Sequence, residues 1–153
     1  MRLSGGPPPS LKGRALRLLS GREHSRAELQ RKLAQYEEEP GSLARALDEL
    51  QAKGFISEQR VVASVIHQRA PKLGLLRIRQ ELQNKGLDAQ LVAEAVTTLR
   101  ATELERAREI WRKKFGEPPV GATERGRQAR FLAARGFTAE VIGRVVRGTG
   151  DDD

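Results

Sequence analysis

The 153-residue chain has no cysteine, only four Phe, one Trp and one Tyr, and no apolar run near the roughly 20 residues of a membrane span. Each absence excludes a class of protein. Without cysteine there is no disulfide, zinc–thiolate site or thiol nucleophile. The opening MRLSGGPPPS has no apolar stretch of the kind a signal peptide needs. It reads as a disordered lead over residues 1–10, and residues 149–153 read as an acidic tail. A cytoplasmic protein with no membrane partner is expected. So few rings leave Leu, Val, Ile and Ala to build the core, with no platform for stacking single-stranded bases. The only imidazoles, His24 and His67, fall in no metal-ligand spacing. His24 precedes a capping serine and should pack at a helix entry, while His67 reads as a surface or groove residue. No glycine-rich phosphate loop is present, and the Glu37-Glu38-Glu39 run falls at a turn where carboxylates are ordinarily solvated. No cofactor, no metal and no catalytic set are expected, so the chain does not read as an enzyme.

What is present is positive charge and helical periodicity. Lys and Arg number 28 against 20 Asp and Glu, a net charge of +8. That balance favours a polyanionic or acid-surfaced partner through neutralisation and counterion release. Apolar residues recur at spacings of three and four, the helical period. Ser10 is placed to cap a helix from Leu11 to about Leu19. Ser25 with Glu28 forms a capping box, serine serving an orphan amide and glutamate reaching back. That box opens a helix to about Gln35. Ser42 is placed to cap a third helix ending at Gly54. Ser57 then opens a helix to about Arg69, Leu75 begins one ending at Gly86, and Asp88 caps one to about Arg100. Thr102 with Glu105 offers another capping box, for a helix ending near Phe115. The last two helices start near Thr123 and after Thr138, with Gly136 between them.

These nine helices repeat. Leu33, Leu82 and Leu132 are separated by 49 and then 50 residues, a spacing of helical-repeat proteins. Leu43, Val92 and Ile142 follow ten positions later, and Leu47, Val96 and Val146 four beyond those. Gly86-Leu87 and Gly136-Phe137 also match, but Glu37-Glu38 stands at that offset in the first unit, so its turn must differ. The expected fold is all-α: three tandem three-helix, helix-turn-helix-like repeats at 11–56, 57–100 and 101–148. Short polar links favour an elongated, curved array.

The basic residues are the candidate contact set. Arg77, Arg79 and Lys85 lie on the middle helix of the second unit. Arg125, Arg127, Arg130 and Arg135 lie on that of the third, with Glu124 the only acid nearby. The first 35 residues add Arg14, Arg17, Arg22, Arg26, Arg31 and Lys32, among others.

Four segments resemble the bacterial recombination regulators of the RecX family. They are ALRLLSGREHSRAELQRKL (15–33), LDELQAKGFIS (47–57), GLLRIRQELQNKGL (74–87) and FLAARGF followed by VIGRVVRG (131–148). In the third, Gly74, Ile78, Glu81, Leu82, Lys85 and Gly86 match the family's central signature. Val61 departs from the aromatic usual there, and Ser57 stands where Asp or Asn is common. The resemblance implies three tandem three-helix repeats and a monomer that binds RecA and its filament on single-stranded DNA. Such a protein would suppress RecA ATPase, strand exchange and filament growth, with weak direct DNA binding in some members. The alternative is a helix-turn-helix array acting on DNA without RecA. Its candidate recognition segments, Ser42-Leu43-Ala44-Arg45 and Asp88-Ala89-Gln90-Leu91, offer few groups able to read base edges.

Overall fold

The structure, a computed structural model, describes residues 8–147. The acidic tail and most of the expected lead lie outside the described residues. Among these, the chain is helical throughout: α1 (Leu11–Gly21), α2 (Arg26–Leu33), a 3₁₀ turn (Ala34–Tyr36), α3 (Ser42–Ala52), α4 (Glu58–Arg69), α5 (Leu75–Asn84), α6 (Ala89–Lys114), α7 (Gly121–Ala134) and α8 (Ala139–Val146). Packing divides it after Val61 into two compact units.

In the first unit α1, α2 and α3 pack pairwise. Their core is Ala15, Leu29, Leu33, Leu43, Leu47, Leu50 and Ile56. Ser10 caps α1, its Oγ accepting from the Gly13 amide at 2.9 Å. The Ser25–Glu28 box forms as expected, with the two bonds at 3.1 and 2.9 Å. Ser42, by contrast, is not the cap of α3. Gly41, at φ +88°, takes that position, and the Ser42 hydroxyl donates to the Glu39 carbonyl. The Glu37 carboxylate does the capping, accepting from the Leu43 amide at 2.9 Å. An acid at a helix N-terminus satisfies an orphan donor and opposes the helix dipole. The Glu37–Glu39 run is therefore only partly a solvated turn.

In the second unit α5 packs on α6, and α6 packs on α7 and α8. The largest correction lies in α6. The break expected between Arg100 and Thr102 is absent, and one 26-residue helix, about 39 Å long, replaces two. Residues 89–114 contain neither Gly nor Pro. Thr102 turns its hydroxyl back to the Leu99 carbonyl, as helix-interior threonines do, and caps nothing. Ala107, with Leu104, Ile110 and Trp111, joins Leu132, Phe137, Ile142, Val145 and Val146 in one cluster. Leu33, Leu82 and Leu132 are all buried, as are Leu43, Val92 and Ile142. Val61 is buried too, so the aliphatic substitute at that position fills a core site.

Candidate interaction surface

The N-terminus of α5 meets the C-terminus of α7, and two of the basic candidates belong to that junction. A helix start leaves amides unsatisfied and a helix end leaves carbonyls unsatisfied. Here the two sets meet. The Gly74 amide donates to the Arg135 carbonyl at 2.7 Å and the Leu76 amide to the Gly136 carbonyl at 2.9 Å. The Leu75 amide between them donates to both carboxylate oxygens of Glu103 at 3.1 Å. Arg77 completes the seam by donating to the Ala134 carbonyl at 2.8 Å. Its guanidinium thus serves a helix end.

Glu103 is a buried acid on α6, paired with Arg106 at 2.8 Å. Burial pushes its carboxyl above the usual range, against the opposing pull of the Leu75 amide and the Arg106 guanidinium. Arg106 in turn donates to the Ala70 and Leu73 carbonyls, tying down the α4–α5 connection. Nothing in the spacing of residues 103 and 106 announced this role.

The α7 arginines do not form one strip. At about 100° per residue, Arg127 and Arg130 share a face, while Arg125 points about 140–160° away from them. Arg127, Phe131 and Arg135 recur every four residues and make a stripe with Phe115 and Lys114. Phe115 and Phe131 meet edge-on with centroids 5.3 Å apart. Arg135 lies 4.5 Å and Lys114 5.5 Å from the Phe131 ring centre, and Arg127 lies 5.1 Å from that of Phe115. The four-residue recurrence was visible in the sequence, but the partner ring Phe115 was not. Arg127 also pairs with Glu124 at 3.0 Å, which raises the arginine's pKa and lowers the glutamate's. Arg79, Arg125 and Arg130 are exposed and have no ion pair or side-chain hydrogen bond among the described residues. Lys85 is half-buried at the C-terminus of α5.

The remaining titratable groups suggest structure rather than chemistry. His24 is buried. Its Nδ1 lies 3.1 Å from the Arg22 carbonyl and its Nε2 3.1 Å from Lys32 Nζ. Burial holds its pKa below the ordinary value. Among the described residues no group of three or more His, Asp or Glu is placed to hold a metal ion, and no helix is long and apolar enough to cross a membrane.

Comparison with known proteins bears on the whole chain. Family models described as the first, second and third three-helix domains of RecX match residues 12–50, 57–96 and 101–146. The chain belongs to the RecX family. Regulatory protein RecX of Leptothrix cholodnii is 56% identical over 144 residues, covering 94% of this chain and 92% of that one. Its counterpart in Ralstonia nicotianae is 43% identical, with 92% and 89% covered. The fold agrees with solved structures. A crystal structure of RecX from Lactobacillus salivarius superposes with a TM-score of 0.76 at 16% identity, over 90% of this chain and 92% of that one. A second RecX crystal structure gives 0.69 at 21% identity, over 88% and 70%. The matched spans place residues 89–96 of α6 in the second RecX domain and 101–114 in the third, so one continuous helix serves both. RecX is a family of regulatory proteins.

Proposed function

We propose that this RecX-family protein regulates recombination by binding RecA and its single-stranded-DNA filament, inhibiting RecA ATPase, strand exchange and filament growth. The observation that carries the reading is 56% identity, over nearly the whole chain, to a protein named regulatory protein RecX. The net charge of +8 supports it, since the single-stranded DNA of the filament offers phosphate. The division into 11–56, 57–100 and 101–148 belongs to this proposal, each repeat offering a separate contact to the filament. Linked contacts would let one monomer, acting in the cytoplasm, engage several protomers. Among the basic candidates, Arg79, Arg125 and Arg130 are the best placed to make contacts, because their charges are not engaged within the fold. Arg77, Arg127 and Arg135 have intramolecular partners and would contribute through the shape they hold.

The test is ATP hydrolysis by RecA on single-stranded DNA with increasing protein. Inhibition at substoichiometric ratios is expected. Unchanged hydrolysis and strand exchange at excess protein would overturn the reading. Sequence-specific protection of duplex DNA without RecA would favour the direct DNA-binding array instead.

A further inference from the structure

The first unit holds a groove whose chemistry is unlike that of the α7 stripe. It has a volume of about 440 Å³ and is lined by Arg14, Arg17 and Lys32 around Leu18, Leu33 and Tyr36, with no acidic residue among its walls. Three other cations of this unit are paired with carboxylates: Lys12 with Glu49, Arg22 with Glu28 and Arg26 with Asp48. The groove cations are not. Arg17 is exposed and its guanidinium has no partner among the described residues. Among the described residues, Lys32 Nζ meets the His24 ring nitrogen Nε2 at 3.1 Å and no carboxylate, and Arg14 lies 3.7 Å from the Tyr36 ring centre. The groove exists because the first unit departs from the repeat. Where later units turn through Gly86-Leu87 and Gly136-Phe137 and bury the apolar member, this unit makes a 3₁₀ turn that leaves Tyr36 40% exposed.

We propose that this groove is a docking site for an acidic peptide segment carrying one apolar side chain. The apolar group would sit on Leu18, Leu33 and Tyr36, and flanking carboxylates would meet Arg17, Lys32 and Arg14. Long-range repulsion between two chains of net charge +8 disfavours a second copy as the occupant. Nucleic acid fits less well, because a stacking base needs an open ring face and Arg14 covers one face of the only ring present. The proposal goes beyond the regulatory reading above and does not rest on it.

The experiment is an NMR titration of the full chain with a short Glu/Asp peptide bearing one central Phe. Parallel titrations use the same peptide with Ala for Phe, and oligothymidylate. Shifts at the Gly13, Arg17, Lys32 and Tyr36 amides are expected. Arg17→Glu and Tyr36→Ala, both at exposed positions, should each weaken binding on the order of tenfold with unchanged circular dichroism. The Ala peptide should bind correspondingly less. No binding, shifts mapping elsewhere, or equal binding of the Ala peptide would overturn the proposal. So would oligothymidylate shifting the same amides at lower concentration, which would make the groove a nucleic-acid face.

Discussion

Gly74 and Gly136 meet backbone to backbone, with no room for a side chain on either. A Cβ on Gly74 would lie 2.5 Å from the Gly136 carbonyl carbon and the Phe137 nitrogen, and one on Gly136 would strike Arg77. Gly136 also sits at φ +96°, which glycine tolerates far better than other residues. This contact brings the first amides of α5 within bonding distance of the last carbonyls of α7, although some 60 residues separate them in the chain.

Gly74→Ala should therefore destabilise the second unit by about 1–3 kcal/mol, because rigid backbone must move. Gly136→Ala should cost more, adding backbone strain to the clash. Urea unfolding of each variant measures this. A midpoint unchanged in both would mean the seam relaxes freely.

The buried Glu103 supports the same seam from α6. Glu103→Ala would leave the Leu75 amide without its acceptor and the Arg106 guanidinium without its counter-charge, a loss of about 3–5 kcal/mol for a broken buried pair. Glu103→Gln keeps one carbonyl acceptor and should lose less. Equal losses for the two variants would show that the carboxylate charge paired with Arg106, and not the side chain's volume or a carbonyl acceptor, is what this site requires.

Two threonine- and serine-led motifs look alike in sequence but differ in the fold. Ser25→Ala should cost about 1 kcal/mol, the value of a working cap. Thr102→Ala should cost less than about 0.5 kcal/mol, since Thr102 lies within α6. Thermal melts of the pair decide it, and a larger loss at Thr102 would count against the continuous helix.

His24 makes stability depend on pH. Its folded pKa is lowered, mainly by burial, with the Arg22 and Lys32 charges adding to the effect and the Arg22 carbonyl and Glu28 opposing it. The unfolded chain thus binds the proton more readily. Its contribution is present above the ordinary value of 6.5 and is lost as pH falls from there through the lowered folded pKa. Between pH 7 and 5 the midpoint of urea unfolding should fall, and His24→Gln should flatten that decline. An identical slope in the variant would assign the dependence elsewhere.

Charge reversal separates contact from architecture. Arg125→Glu with Arg130→Glu should weaken inhibition of the RecA filament without loss of helicity. Arg77→Glu should instead lower the melting temperature, because its guanidinium serves the Ala134 carbonyl. Loss of stability in the first variant, or none in the second, would reverse these assignments.

Local chemistry was legible from the sequence alone. The Ser25–Glu28 box, the cap at Ser10, the glycine turns at 86 and 136 and the buried leucines 33, 82 and 132 depend on contacts a few residues apart or on a repeated period, and both are written in order along the chain. The family was legible for the same reason, since its signatures are contiguous. Tertiary structure decided what depends on distant partners. Glu103 and Leu75 are 28 residues apart and Arg77 and Ala134 are 57 apart, so no spacing rule could pair them. Whether Thr102 begins a helix or lies inside one turned on two nearly balanced local options, and the packing of Ala107 and Glu103 favours the continuous helix. The basic residues show the limit most clearly. Arg77 and Arg79 are equivalent as letters, and only the arrival of the α7 carbonyls beside one of them leaves the other available for a partner.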